Sequence, residues 1–296
     1  MATLDKLRDS SGNAILTPQH VCVYGAPKSG KTQLIGSLAK EGFKLIWFDL
    51  EKGVSTLLKP GLLTDEELSR ITYLPIVDTK EAPIAHATID RIVRGGKFSI
   101  CEEHGRIDCP LCKRDGSSFT DIDIPIKGFD PNTIVVVDSF TQLSISVTNT
   151  ILKDKSIDYQ ETLHDFRNQG NYLNRMFGYI QQAPFHIVGT AHETEAERED
   201  GTTRIVPSIG SRNYAITCAK FFSDVVYMDK VNKEHKAFSL TNYSNKVLTG
   251  SRLEVNVGSS GSPSLAGVFK GMGNQKLGVV VPTPIKSGGL VINKSK

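Results

Sequence analysis

The chain has no apolar run that approaches membrane-spanning length, and its charged N-terminus, Met1 to Asp9, carries no apolar h-region. These absences exclude a membrane span and argue against a secretory signal. They predict a soluble protein of the cytoplasm with no membrane partner. No internal repeat is present, so a repeat architecture is not expected. Nor is there a dense Arg cluster of the kind a nucleotide or small-molecule kinase needs in its lid. Residues 255–296 contain no Asp or Glu but five Lys; subtracting those five from the net charge of +3 leaves −2 for the rest. That segment is also rich in Gly and Ser, a composition that cannot easily bury a core. The expected organisation is a core over residues 1–257 and a flexible, disordered basic tail over 258–296. The tail can touch nucleic acid, or serve as a solubilising end or interaction peptide.

What is present begins with Gly25-Ala26-Pro27-Lys28-Ser29-Gly30-Lys31-Thr32, which matches the phosphate-binding pattern G-x-x-x-x-G-K-[ST]. His20 to Tyr24 before it reads as a buried strand, and Thr32 to Lys40 after it as a helix. Gly25 and Gly30 allow the backbone to turn successive N–H groups inward around phosphate oxygens, and the helix N-terminus adds positive charge there. Lys31 is expected on the β- and γ-phosphates of ATP and the Thr32 hydroxyl on Mg²⁺.

Further apolar runs follow at Phe43–Leu50, Asn132–Ser139 and Phe185–Thr190, with later strands at Ser223–Met228 and Ala237–Asn242. Helical sequence lies near Asp65–Arg70 and Glu81–Arg94, and from Gln142 to Gln182 with a break near Lys155. Strands alternating with helices imply an α/β fold with a mainly parallel sheet. Three side chains at strand ends are candidates for chemistry. Asp138 closes the run Thr133-Ile-Val-Val-Val-Asp138 and reads either as an Mg²⁺ ligand with Thr32 or as a helix cap. Glu51 follows the second strand and reads either as the carboxylate that polarises attacking water or as a cap, with Asp49 competing. His192 in Gly189-Thr-Ala-His192 reads either as a γ-phosphate sensor or as a plain loop residue.

Within 97–130, Cys101, His104, Cys109 and Cys112 form C-x2-H-x4-C-x2-C. Four N/S ligands suit a closed tetrahedral structural Zn²⁺ site, a knuckle that clips an insertion too small to fold alone. Unrelated thiols or a redox C-x-x-C pair are the other readings. Lys113 and Arg114 beside it can contact phosphates or stay solvated. Cys22 and Cys218 read as core residues.

Taken together, Gly25–Thr32, Glu51, Val135-Val-Val-Asp-Ser139 and Gly-Thr-Ala-His192 resemble the RecA-like P-loop ATPases over roughly residues 18–250. The resemblance is greatest to the compact phage-encoded (Sak-type) branch linked to single-strand annealing and recombination. It implies catalytic roles for Glu51, Lys31 and His192, ATP held between subunits of a ring or filament, and single-stranded DNA as polymer partner. Single-strand-binding or replication proteins are further partners it suggests. It also places DNA contacts on loops after the third and fourth strands. Here the segment Glu193 to Asp200 is acidic, which departs from that pattern, while Arg204, Arg212 and Lys220 restore some positive charge. The rival expectation is an ATP-dependent switch or assembly ATPase that binds protein.

Overall fold

In a computed structural model, residues 16–271 are described except 129, 157, 199, 233, 241–243, 245 and 259–261. The first unit is β1 (His20–Gly25), the phosphate loop and α1 (Lys31–Gly36), followed by β2 (Lys44–Asp49), α2 (Asp65–Leu68) and β3 (Ile71–Pro75). Next come α3 (Ala85–Ile92), the hairpin strand β4 (Gly96–Cys101), α4 (Pro110–Asp115) and β5 (Phe119–Ile124). The centre is β6 (Thr133–Asp138), α5 (Phe140–Leu152), α6 (Leu163–Gln182) and β7 (His186–Ala191). The remainder is β8 (Glu193–Glu197), β9 (Thr203–Pro207), α7 (Arg212–Thr217), β10 (Asp224–Val231), β11 (Glu234–Phe238), β12 (Gly250–Ser251) and α8 (Ala266–Phe269).

The apolar runs do what β-branched, two-sided hydrophobic strands do: they form a parallel sheet buried on both faces. Its order is β11-β10-β1-β7-β6-β2-β3, with β12 also on β10. From β10 to β3 every pairing is parallel, and only β11 and β12 run antiparallel. From β1 the chain crosses to β2 and β3 and then returns through β6 and β7 to β10, and in such open parallel sheets a ligand site is expected in the crevice at the carboxyl ends of the strands, here β1, β7, β6 and β2. One face packs on α3, α5 and α6 through Phe140, Leu143, Leu173 and Phe177. The other packs on α1 and α8 through Leu34, Ile35, Leu38, Val268 and Phe269. The α/β class with a mainly parallel sheet is therefore as expected. Among the described residues no helix is long and apolar enough to cross a membrane.

Four details differ from the sequence expectation. Strand β3 was not anticipated; it is an edge strand with only Leu74 fully buried. Strand β11 begins at Glu234, earlier than Ala237, because its pairing with β10 and not its own hydrophobicity sets its limits. The break in the long helical run is wider than one residue: α5 stops at Leu152, and α6 restarts in a capping box of Thr162 and Asp165. The expected tail starting at 258 is corrected for residues 262–271. Leu265, Ala266, Val268 and Phe269 are buried with Phe43, Val255 and Val257, and Lys270 pairs with Glu41 at 2.8 Å. Helical spacing of those apolar residues lets a Gly/Ser-flanked segment cover the α1 side of the sheet. The rest of the expected tail, 272–296, lies outside the described residues.

The insertion is a two-stranded hairpin of β4 and β5. Its inward residues Phe98, Ile100, Ile122 and Ile124 share one cluster with Ile89 and Ile92 of α3, so the main core supplies the burial that the hairpin alone lacks.

Candidate active site

The phosphate loop is shaped by steric demands that only its glycines meet. Gly25 has φ 153°, and a Cβ there would lie 2.1 Å from the Met228 carbonyl oxygen. Gly30 has φ 99°, and a Cβ there would strike the His235 ring at 2.8 Å. Within the loop, Ala26 accepts a hydrogen bond from the Ser29 N–H at 3.2 Å, Lys28 has φ 66°, Pro27 is exposed and Ser29 is buried. The Lys31 ammonium donates to the carbonyl oxygens of Gly25 and Ala26, each at 2.9 Å. Burial lowers its pKa, against the opposing pull of Glu51, Asp138 and Glu193.

Asp138 ends β6 almost fully buried. Its two oxygens accept from the hydroxyls of Thr32, at 3.3 Å, and Thr190. Burial, reinforced by Asp49 and Glu51, pushes its carboxyl up to about 6 despite those two hydroxyls. The cap of α5 is Ser139, whose hydroxyl accepts the Gln142 N–H at 3.1 Å; the helix-cap reading of Asp138 therefore fails.

Asp49 and Glu51 divide the roles that the sequence left open. The Asp49 carboxylate is consumed by the N–H groups of Glu51, Gly53 and Val54 at 3.1, 3.2 and 3.2 Å, so it shapes the loop after β2. Glu51 is thus not the cap. Its carboxylate accepts from the Ser139 hydroxyl and lies 3.3 Å from His192 Nε2. Burial raises the Glu51 pKa, but hydrogen bonds from His192 and Ser139 and the charges of His192 and Lys31 outweigh that and hold it below the usual carboxylate range. His192 is itself fixed: its N–H donates to Thr141 Oγ1 at 2.9 Å, and its carbonyl accepts the Ser208 N–H at 2.7 Å.

Lys31, Thr32, Glu51, Asp138 and His192 line one cleft of about 490 Å³. The size and mixed polarity suit a nucleotide. Three groups in and beside it were not anticipated. Thr190 lies two residues before His192, so strand alternation alone would have put both on one side. Lys230 and His235, paired across β10 and β11, also line the cleft, and His235 Nδ1 bonds the Ser29 carbonyl oxygen at 2.7 Å. No local sequence signal marks that pair.

The second cluster lies apart. The ligand atoms of Cys101, His104, Cys109 and Cys112 all lie within 4.8 Å of one another. His104 Nδ1 is 3.2 Å from Cys112 Sγ and 3.9 Å from Cys101 Sγ. Gly105, at φ 68°, makes the return turn, and a Cβ there would meet the Pro75 carbonyl oxygen at 2.1 Å. Cys109 caps α4 with Pro110 in its first turn, which sets Cys112 on the same side. A tetrahedral Zn²⁺ with ordinary Zn–S bonds has ligand atoms about 3.8 Å apart, so three thiols and one imidazole at these separations can hold a metal ion.

The segments after β6 and β7, where the resemblance puts DNA contacts, differ from each other, and the acidic one after β7 is a hairpin. Strand β6 passes into α5 through Ser139 alone, and β7 leads into the β8–β9 hairpin. Arg204 on that hairpin is half-buried and donates to the Val247 carbonyl at 3.0 Å, while Arg212 and Lys220 are exposed.

Comparison with known proteins places these features. The profile of a family described as AAA domain matches residues 17–253. Comparison with curated proteins gives no match. Among solved structures, the crystal structure of the RadB recombinase aligns over 79% of this chain and 84% of its own, at 19% identity and TM-score 0.38. A type III secretion system ATPase of pathogenic bacteria aligns over 77% of this chain and 54% of its own, at 13% identity and TM-score 0.42.

Proposed function

Because this chain belongs to the AAA domain family of P-loop ATPases, we propose that it hydrolyses ATP in the cleft of Lys31 and Glu51 and couples that hydrolysis to binding of single-stranded DNA. The convergence of loop, Asp138 and the Glu51–His192 pair in one cleft carries the reading. The backbone of Gly25 to Thr32 would cradle the phosphates, and Lys31 would leave its two loop carbonyls for the β- and γ-phosphate oxygens. Glu51, below its ordinary pKa, is a carboxylate able to orient and polarise water. His192 holds one Glu51 oxygen and, through Thr141 and Ser208, touches α5 and the end of β9. The presence of a γ-phosphate beside Glu51 can therefore be passed to the β8–β9 hairpin.

Thr32 and Asp138 fit a hard cation: both offer oxygen, and the crowding of Asp138 by Asp49 and Glu51 is relieved by positive charge. Mg²⁺ bound there supplies charge neutralisation of the phosphates. The Cys101, His104, Cys109 and Cys112 set fits Zn²⁺ in a structural role, since four protein donors leave no open position.

Lys113 and Arg114 at the knuckle edge are paired with Asp108 and Asp115 at 3.0 and 2.8 Å and add no free charge to the case for a nucleic-acid partner; the reading has the subunit work in a ring or filament in the cytoplasm. Recombination, annealing or replication in a phage context is the process this reading fits. The acidic β8–β9 hairpin, with Glu193, Glu195 and Glu197, favours the second reading of an assembly ATPase that binds protein. Filter binding of labelled single-stranded DNA with and without ATP decides between them. ATP-dependent retention at low salt is expected. No retention with nucleotide present overturns the DNA reading and leaves the assembly ATPase.

A further inference from the structure

A second cleft, of about 480 Å³, opens between the first turn of α3, the end of α5 and the turn that joins His104 to Cys109. It matches the nucleotide cleft in size. Arg91, Arg106 and Lys153 line it against one carboxylate, Glu81, as Lys28, Lys31, Lys59 and Lys230 line the nucleotide cleft against Glu51 and Asp138, so both clefts can take an anion. All three cations are exposed. Arg91 is 4.0 Å from Asp108, which also takes Lys113 at 3.0 Å. Among the described residues Arg106 and Lys153 have no ion-pair partner within 4.0 Å. The floor is rigid: the His86 N–H donates to Ser146 Oγ at 3.2 Å, its ring lies 3.1 Å from the Thr150 hydroxyl, and Ile107 is buried.

We propose that this cleft is the binding site for the phosphodiester backbone of single-stranded nucleic acid, gripped by Arg106, Lys153 and Arg91. Exposed cations around an open cleft suit a polymer that lies across it, because each phosphate reaches a guanidinium or ammonium without burying an unpaired charge. Arg guanidinium groups add planar two-point contact with phosphate oxygens. Arg106 and Ile107 lie between His104 and Cys109, so the metal cluster fixes one wall of the cleft. The acidic β8–β9 hairpin and the tied-down Arg204 leave this cleft the better phosphate surface.

The inference rests on the single-stranded DNA reading, and its test separates the two. Binding of a labelled oligodeoxythymidylate is measured against salt for the full chain and for the double variant Arg106→Gln/Lys153→Gln, with ATP turnover without DNA as the control for folding. The double variant should bind at least about tenfold more weakly, its slope of log K against log salt should shrink by about 1.4 (roughly 0.7 per lost single-strand phosphate contact), and its basal turnover should match wild type. In a second measurement, amine acetylation of Lys153 in the unaltered protein should be suppressed by the oligonucleotide. Wild-type binding with an unaffected double variant, or Lys153 equally modified with and without the oligonucleotide, overturns the cleft and leaves the DNA reading intact. Absence of wild-type binding overturns the DNA reading and the cleft with it.

Discussion

The nucleotide cleft draws Lys31, Glu51, Asp138, His192 and His235 from positions more than two hundred residues apart, at the start of α1, at the ends of β2, β6 and β7 and on β11. The Cys101–Cys112 cluster gathers its four ligand atoms from twelve consecutive residues. The cleft is thus held in shape by the whole sheet, and side chains within it compensate one another. Asp49 spends its charge on backbone N–H groups, which frees Glu51 to meet His192. The cluster needs only the turn at Gly105 and the first turn of α4 to bring its ligand atoms together. Long-range assembly yields a site whose chemistry can be switched off by one side chain while the scaffold stands. Local assembly yields a site whose loss should be felt mainly nearby.

The largest expected effect tests the first half of that contrast. Lys31→Ala removes the loop ammonium and should lower ATP turnover by roughly a hundredfold or more, with the circular dichroism spectrum unchanged. Glu51→Gln should keep nucleotide affinity and lose about two to four orders of magnitude in turnover, the range a general base contributes. Wild-type turnover in Glu51→Gln would show that another group orients the water.

Truncation tests how far the scaffold extends. Deleting 258–296 removes Leu265, Val268 and Phe269 from the core and should cost several kcal/mol at roughly 1.5–3 kcal/mol per buried side chain, read as a lower urea midpoint. Deleting only 272–296 should leave that midpoint within error of wild type. Equal midpoints for both truncations would mean that α8 contributes nothing to the core.

The smallest effect belongs to the local cluster. Purified protein should carry about one zinc per chain, and Cys109→Ser or Cys112→Ser should release it. Proteolysis within 97–130 should then quicken, while ATP affinity changes by less than about threefold. A collapse of ATP binding on metal loss would show that the cluster is wired to the sheet, through Gly105 against Pro75, more tightly than the contrast allows.

The local features were legible before any coordinates. The phosphate loop, the Asp138 strand, the break between α5 and α6 and the C-x2-H-x4-C-x2-C spacing each depend on neighbours a few residues away. Such chemistry is written in order and spacing. Strand β3 was hidden because an edge strand need bury only part of its side chains, and α8 because Gly and Ser around Leu265–Phe269 dilute the apolar signal.

Sequence by itself therefore determined the α/β class, the phosphate loop and the close spacing of Cys101, His104, Cys109 and Cys112, because glycine torsions, hydrophobic periodicity and residue spacing are local properties of the chain. Only the tertiary structure decided that Ser139 and not Asp138 caps α5, that Glu51 and not Asp49 faces His192, and that Lys230 and His235 stand in the cleft. Those outcomes follow from strand order and antiparallel register, which bring together residues whose separation along the chain carries no signal of their contact.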